Sequence, residues 1–239
     1  MPTNPLKKEI DPLLVEMDIY LSEWYDDFTN SASATDAKKR LADLSEFWAD
    51  GMAGVTITAM LLALTGGKPI TYERLSVFRQ MLTTEALETA RRPELITRQM
   101  TKRLDKLVIK KYGTTEWIRK KAIQKELEDV AHFKIFSGDK VGKNVFLRET
   151  RFTPKTYSQM YARTRATQAH VKATINQSLV EGLNAVQISS HGTLTDICKP
   201  HEGQIYSMRE FIDDPSLQPP YHPNCLHIAN PFYDERFAG

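Results

Sequence analysis

Apolar side chains recur every three or four positions through the first half of the chain, the spacing that gathers them on one face of a helix. In IDPLLVEMDIYLSEWYDDFT the stripe is Leu13, Leu14, Met17, Tyr20, Leu21, Trp24 and Phe28, with Asp11 read as N-cap and Pro12 as the first helical residue. DAKKRLADLSEFWAD repeats the pattern with Leu41, Leu44, Phe47 and Trp48, and an apolar run from Met52 to Leu64 follows. Two more helices are predicted in TYERLSVFRQMLTTEALETARR and PELITRQMTKRLDKLVIKKYG, the second opened by Pro93 and closed by Gly113. TTEWIRKKAIQKELEDVAHF makes a sixth.

Beyond Phe136 the texture changes. FSGDKVGKN is polar and turn-rich, and NVFLRETRF reads as a short strand. TPKTYSQMYARTRATQAHVKATINQSLVEGLN is a long helix with Thr153 as cap, Pro154 just inside and Gly182 near its end. The apolar pieces AVQIS, QIYSM and LHIAN come after it, separated by Gly, Pro, Asn and Asp. The expected fold is therefore α+β and predominantly α-helical. An all-α body spans residues 1–140, a small loop-rich α+β module spans residues 141–239, and the boundary falls within 137–150. No internal repeat is visible.

Composition sharpens this picture in three places. A chain of 239 residues builds a core without covalent staples, and its start, MPTNPLKKEIDP, carries no apolar secretory segment. A reducing compartment is expected, which leaves the two cysteines as thiols, metal ligands or inert groups. The uncharged run from Gly51 to Gly67 is shorter than the roughly 20 apolar residues that span a bilayer. It reads as a buried helix, with a membrane-active segment as the alternative and no stable membrane association expected. Charge is segregated: residues 1–50 carry five Lys/Arg against eleven Asp/Glu, whereas residues 102–125 carry nine against two. Fields of opposite sign suit oriented docking or a polyanion, although single charged runs are usually solvated helix faces.

The chemistry-bearing residues gather at the end of the chain. Both cysteines and four of the six histidines (His191, His201, His222, His227) lie beyond residue 190. Cys198 and His201 form a CxxH pair, and His222 and Cys225 an HxxC pair. Each pair reverses the chain within a few residues, so two such knuckles make a tetrahedral S2N2 set suited to a structural zinc ion. His191 and His227 are possible substitutes. The plainer reading has the cysteines as small buried hydrophobes and the histidines as hydrogen-bonding loop residues. A nucleophilic Cys/His pair is a third reading, with Asp196, Glu202 or Asn224 orienting the base. A metal-dependent nuclease is a fourth, although neither a ββα order nor the HxE…PCxxC pattern of zinc deaminases is present.

Taken together, YARTRATQAHVKATINQ (161–177), VQISSHGTLTDICKPHEGQIYSM (186–208) and PPYHPNCLHIANPF (219–232) resemble one family. They are similar to the carboxy-terminal module of the minor head, or head morphogenesis, proteins of tailed bacteriophages, the Mu F-type and minor-capsid-protein-2-type group. Arg163 and Thr164 match the helix signature of that module. Asp196, Cys198, His201 and Gly203 match its turn, and His222, Pro223, Asn224, Cys225 and His227 match its closing element. Arg165 departs by standing where an acid is usual, and His201 and His227 stand where cysteine is common. The resemblance implies a structural protein of the virion, held at or near the portal inside the head and linked to DNA packaging, retention or ejection. Its implied partners are the portal protein, other head proteins and packaged double-stranded DNA, and assembly takes place in the host cytoplasm.

Lys102, Arg103, Lys106, Lys110, Lys111, Arg119, Lys120, Lys121 and Lys125 are the candidate DNA contacts, since several neutralised phosphates give binding that ignores sequence and weakens with salt. Trp117 and Tyr112 among them either stack on bases or pack the helices. The leading expectation is a non-enzymatic, portal-associated minor capsid protein. The rivals are a zinc-dependent nuclease or hydrolase using His201, His222 and Cys225, and a plain DNA-binding accessory protein.

Overall fold

The computed structural model describes residues 4–66, 68, 71–118, 120–135, 140–141, 144–145, 150–192, 196–225 and 227–238. Helix α1 (Pro5–Thr29) starts earlier than its sequence suggests, with Asn4 as N-cap accepting from the Lys7 N–H at 3.1 Å. Leu6 and Ile10 are fully buried and extend the apolar stripe by a turn and a half, each worth about 2 kcal/mol of burial. That burial outweighs the break expected at Pro12, which lies inside the helix on its exposed side. Asp11 is not a cap. It pairs with Arg163 across to a later helix, at 3.6 Å.

Helix α2 (Ala34–Thr65) is capped by Ser33 and closed by Gly66 in the left-handed conformation. It is one continuous helix, where the sequence suggested a pair meeting near Gly51. Gly51 leaves room for Met17 of α1, whose sulfur would lie 3.0 Å from a Cβ there and would have to shift to admit one. Among the described residues α2 is the one helix long and apolar enough to cross a membrane by length and composition. In the fold, Met52, Val55, Ala59, Met60 and Leu64 are buried along one side of it.

Helix α3 (Tyr72–Arg103) runs straight through Pro93, where two helices were expected. Phe78 and Leu82 before the proline pack with Met60 and Leu64, while Ile96 and Met100 after it join the core formed by the first half of α2. Contact with a single long neighbour on both sides outweighs the lost backbone hydrogen bond. A π-helical turn (Leu104–Ile109) and a short α4 (Lys110–Tyr112) continue α3 to Gly113, whose φ of 80° ends it as its sequence position predicts. Helix α5 (Lys120–Ala131) packs back on the π turn through Ile123, Leu127 and Val130.

Two small antiparallel pairs follow: β1 (Phe133–Ile135) with β4 (Thr150–Phe152), and β2 (Lys140–Val141) with β3 (Asn144–Val145). Most of the expected boundary segment 137–150 lies outside the described residues. Helix α6 (Pro154–Glu181) has the ends that its sequence predicts. Thr153 and Thr156 form a reciprocal capping box, Pro154 follows, and Gly182 closes the helix at φ 69°. The strand readings also hold: β5 (Ala185–Ile188), β6 (Ile205–Ser207) and β7 (Ala229–Phe232) form an antiparallel sheet in the order β6-β5-β7. A short α7 (Met208–Asp213) follows β6. The architecture is predominantly helical α+β.

Helix α6 belongs to both halves of the molecule. Its first half, through Tyr157, Tyr161, Ala162 and Ala166, packs with α1 and α2. Its second half, through Val171, covers a separate core of Val186, Ile188, Met208, Phe211, Tyr221 and Ala229 under the sheet. Charge fixes it sideways. Arg163 and Lys155 meet Asp11 and Asp18 of α1. The buried Glu85 of α3 receives Lys172 as well as Arg165 at 3.4 Å, and Arg165 Nε donates to Thr89 at 3.1 Å.

Two expectations follow from this packing. Glu85→Gln leaves Arg165 and Lys172 facing a neutral amide, and a loss of about 2 kcal/mol is expected in urea unfolding, because Lys172 is half-exposed and screens part of the penalty; a loss below about 0.5 kcal/mol would contradict the arrangement. Burial also holds the His170 imidazole at a pKa of about 4, below its ordinary 6.5. The neutral ring contributes its full stability above pH 6.5, and that stability drains as the pH falls towards 4, because the unfolded chain takes up the proton first. Wild type should lose on the order of 3 kcal/mol more than His170→Gln between pH 7 and pH 4, and parallel losses would refute it.

Candidate metal centre

The HxxC segment is a tight turn. Cys225 N–H donates to the His222 carbonyl at 3.1 Å, with Pro223 and Asn224 at the corners and Asn224 at φ 62°. Proline followed by a residue of positive φ is the combination that type II turns favour, and asparagine tolerates it better than most residues. The turn sets His222 and Cys225 side by side. The CxxH segment turns as well: His201 N–H donates to the Cys198 carbonyl at 2.9 Å within a 3-10 turn (Lys199–His201). Gly203, at φ 72°, then returns the chain to the sheet by donating to the Ile188 carbonyl at 3.0 Å.

Across these two turns, Cys198 Sγ, Cys225 Sγ and one nitrogen of His222 lie within 4.8 Å of one another. Both cysteines are buried in the core under the sheet, while His222 reaches partly into solvent. Sulfur and imidazole donors so close together form a group that could hold a metal ion. His201 is outside the group. Its ring lies flat on that of Tyr221, with centroids 3.9 Å apart at 10°, and its Nδ1 is 3.4 Å from the Tyr206 hydroxyl. Two aromatic neighbours, neither within the CxxH segment, decide where that imidazole rests.

His227 is placed by a second network. Its Nδ1 is 3.4 Å from Cys225 Sγ and its Nε2 is 2.9 Å from Glu202 Oε1, which also accepts the His191 backbone N–H at 3.1 Å. Burial disfavours charge on His227, but its hydrogen bonds to Cys225 and Glu202 outweigh that and raise its pKa. Burial likewise opposes ionisation of Cys225, yet the bond from His227 and backbone N–H groups lower the thiol pKa. Cys198 moves the other way, pushed up by burial and by the neighbouring Cys225. The sulfur prepared to carry negative charge is Cys225. Helix α6 holds the same loop from beneath, where Thr167 Oγ1 donates to the Cys225 carbonyl at 3.0 Å and Thr174 Oγ1 to the Ala229 carbonyl at 3.4 Å.

The basic residues divide into two kinds. Lys102, Lys106, Lys110, Lys120, Lys121 and Lys125 are exposed on the π turn, its flanks and α5, which pack on each other. Arg103 is committed elsewhere: its guanidinium donates to the carbonyls of Asp129 and His132, satisfying the open end of α5. Lys111 pairs with Glu126 at 2.9 Å, and Arg119 lies outside the described residues. Trp117 is buried and donates to the Gly113 carbonyl at 3.3 Å, so it packs the helices, and Tyr112 lies partly buried against the same core.

Glu202, one of the three residues that the sequence offers to orient a base, is the one that meets His227; Glu85 has no sequence signal, because its contacts with Arg165 and Lys172 join distant elements. No protein-family model, no curated protein and no solved structure matches this chain.

Titration of the purified chain with cobalt is expected to reach one ion per chain with a thiolate charge-transfer band. Cys198→Ser, Cys225→Ser and His222→Ala should each weaken binding by at least about tenfold, while His201→Phe, which keeps the stack on Tyr221, should leave it within about threefold. Equal loss in His201→Phe would return that histidine to the ligand set.

Proposed function

We propose that this protein is a structural component of a tailed-bacteriophage particle, a minor head protein held at or near the portal. What supports the reading is one observation: the three segments that carry the resemblance, far apart in sequence, meet in one unit. Helix 161–177 lies within α6, the turn of Cys198 and Gly203 joins β5 to β6, and the closing element leads into β7. Thr167 ties the first to the third, and the sulfur pair ties the second to the third. In this reading zinc is held by Cys198, His222 and Cys225, with a fourth donor from outside that set. The donor chemistry fits, since two thiols and an imidazole suit zinc better than an oxygen-seeking cation. Bound there, the ion supplies cross-links to a module whose own apolar core is small.

The exposed lysines of α5 and the π turn are the surface that meets packaged DNA. Four of the acids near the amino terminus (Asp11, Asp18, Asp27 and Asp36) pair with Arg163, Lys155 and Arg40 inside the fold, which leaves Glu9, Glu16 and Glu23 on the outer face of α1 for a basic partner such as the portal ring. The rival hydrolase reading draws on the Glu202–His227–Cys225 array, whose order is that of an activated nucleophile. Against it, Cys225 is 1% exposed and His227 3%, so with the loop closed neither meets a substrate.

Copurification tests the leading reading: the chain should accompany portal protein in isolated heads, and absence from both immature heads and finished particles would remove it. For the DNA surface, six phosphate contacts imply that affinity for any duplex falls roughly 10³-fold between 50 and 200 mM salt. Charge reversal at Lys106, Lys121 and Lys125 should flatten that slope by about half, and an unchanged slope would move the contact elsewhere. Metal-dependent cleavage of the duplex, lost in His222→Ala, would instead favour the hydrolase.

A further inference from the structure

Cys198 and Cys225 come from different segments, the turn after β5 and the loop before β7, yet their sulfurs lie within 4.8 Å of each other. Both thiols are free. Each sits directly beside an exposed residue: Ile197 is 55% exposed next to Cys198, and Asn224 is exposed next to Cys225. Local opening of either turn reaches a sulfur without unfolding the central strand β5, whose Val186 and Ile188 stay buried.

We propose that in the metal-free protein these two thiols are a covalent modification site, closing to an intramolecular disulfide by exchange with a small disulfide of the glutathione class. Metal and disulfide are then alternative closures of one module, since the same two sulfurs serve both. The Cys225 sulfur, held by His227, attacks one sulfur of the small disulfide as thiolate. That S–S bond breaks, a small thiolate leaves, and a mixed disulfide forms on Cys225. Cys198 gives its proton to the departed thiolate and attacks the Cys225 sulfur, and the second small thiolate leaves and takes up the proton that Cys225 gave up. Two protein thiols are oxidised and one small disulfide is reduced to two thiols, so electrons and protons balance. The consequence for timing rests on the proposed function: a head built in a reducing cytoplasm and released into an oxidising medium passes from the first closure to the second.

The test uses the full-length chain, stripped of metal with a chelator and incubated with excess oxidised glutathione before alkylation and intact-mass measurement. The expected product has lost two hydrogens, resists alkylation at both cysteines, yields a linked Cys198–Cys225 peptide and reverts with dithiothreitol. Cys198→Ser should stop at a single glutathione adduct on Cys225. Zinc-loaded protein should oxidise at least about tenfold more slowly. Two stable glutathione adducts, two alkylated thiols or disulfide-linked dimers would overturn the proposal, and equal rates with and without bound zinc would overturn the exclusion. Because the purified chain is used, none of these outcomes depends on whether the protein belongs to a virus particle.

Discussion

Helix α6 contributes buried side chains to each of the three apolar cores described above. Beyond Tyr161 the buried sides of α6 are mostly alanine, serine and threonine, residues small enough to let α2 lie close on one side and the loop before β7 on another. Its hydroxyls do two things at once. Ser158, Thr164 and Ser178 return their protons to carbonyls one turn back, which makes a polar surface buriable. Thr167 and Thr174 instead reach outward to the carbonyls of Cys225 and Ala229. Those two bonds give a donor from α6 to the carbonyl of Cys225, in the loop that carries the sulfur and imidazole donors, and to that of Ala229, at the start of β7. The candidate metal centre is thus a property of a helix face as much as of the turns that bear the ligands.

Electrostatics enforces the same arrangement from the opposite side. The sequence shows an acidic beginning and suggests an external field, but part of that charge is consumed inside the fold. Asp11 and Asp18 meet Arg163 and Lys155, and Glu85 meets Arg165 and Lys172, so the cations of α6 are held by carboxylates on two of its neighbours, α1 and α3. Arg165 is the partner of the buried Glu85.

How much of this could be read from sequence follows from the range of the forces involved. Ends decided by adjacent residues were legible: Thr153, Pro154 and Gly182 bound α6, Gly113 ends α4, and a short apolar piece after Gly182 and Asn184 marks β5. Ends decided by a distant neighbour were not. Asn4 displaces Asp11 because Leu6 and Ile10 find a core, and α3 ignores Pro93 because α2 supports both of its halves. The site divides in the same way. Cys198, His222 and Cys225 converge because two tight turns, both visible as spacings, bring them together. His201 leaves that set because Tyr221 offers its ring a flat surface, and His227 finds Glu202 across a strand connection. No local pattern encodes either contact.

The claim on which the account turns is that two sulfurs and an imidazole from separate turns serve one ion. X-ray absorption at the zinc edge of the purified, metal-loaded chain reads that first shell directly. The account predicts sulfur scatterers at about 2.3 Å together with at least one imidazole nitrogen at about 2.0 Å, and loss of part of the sulfur signal in Cys225→Ser. A shell of oxygen and nitrogen alone, or a chain that retains no zinc after dialysis, would contradict it.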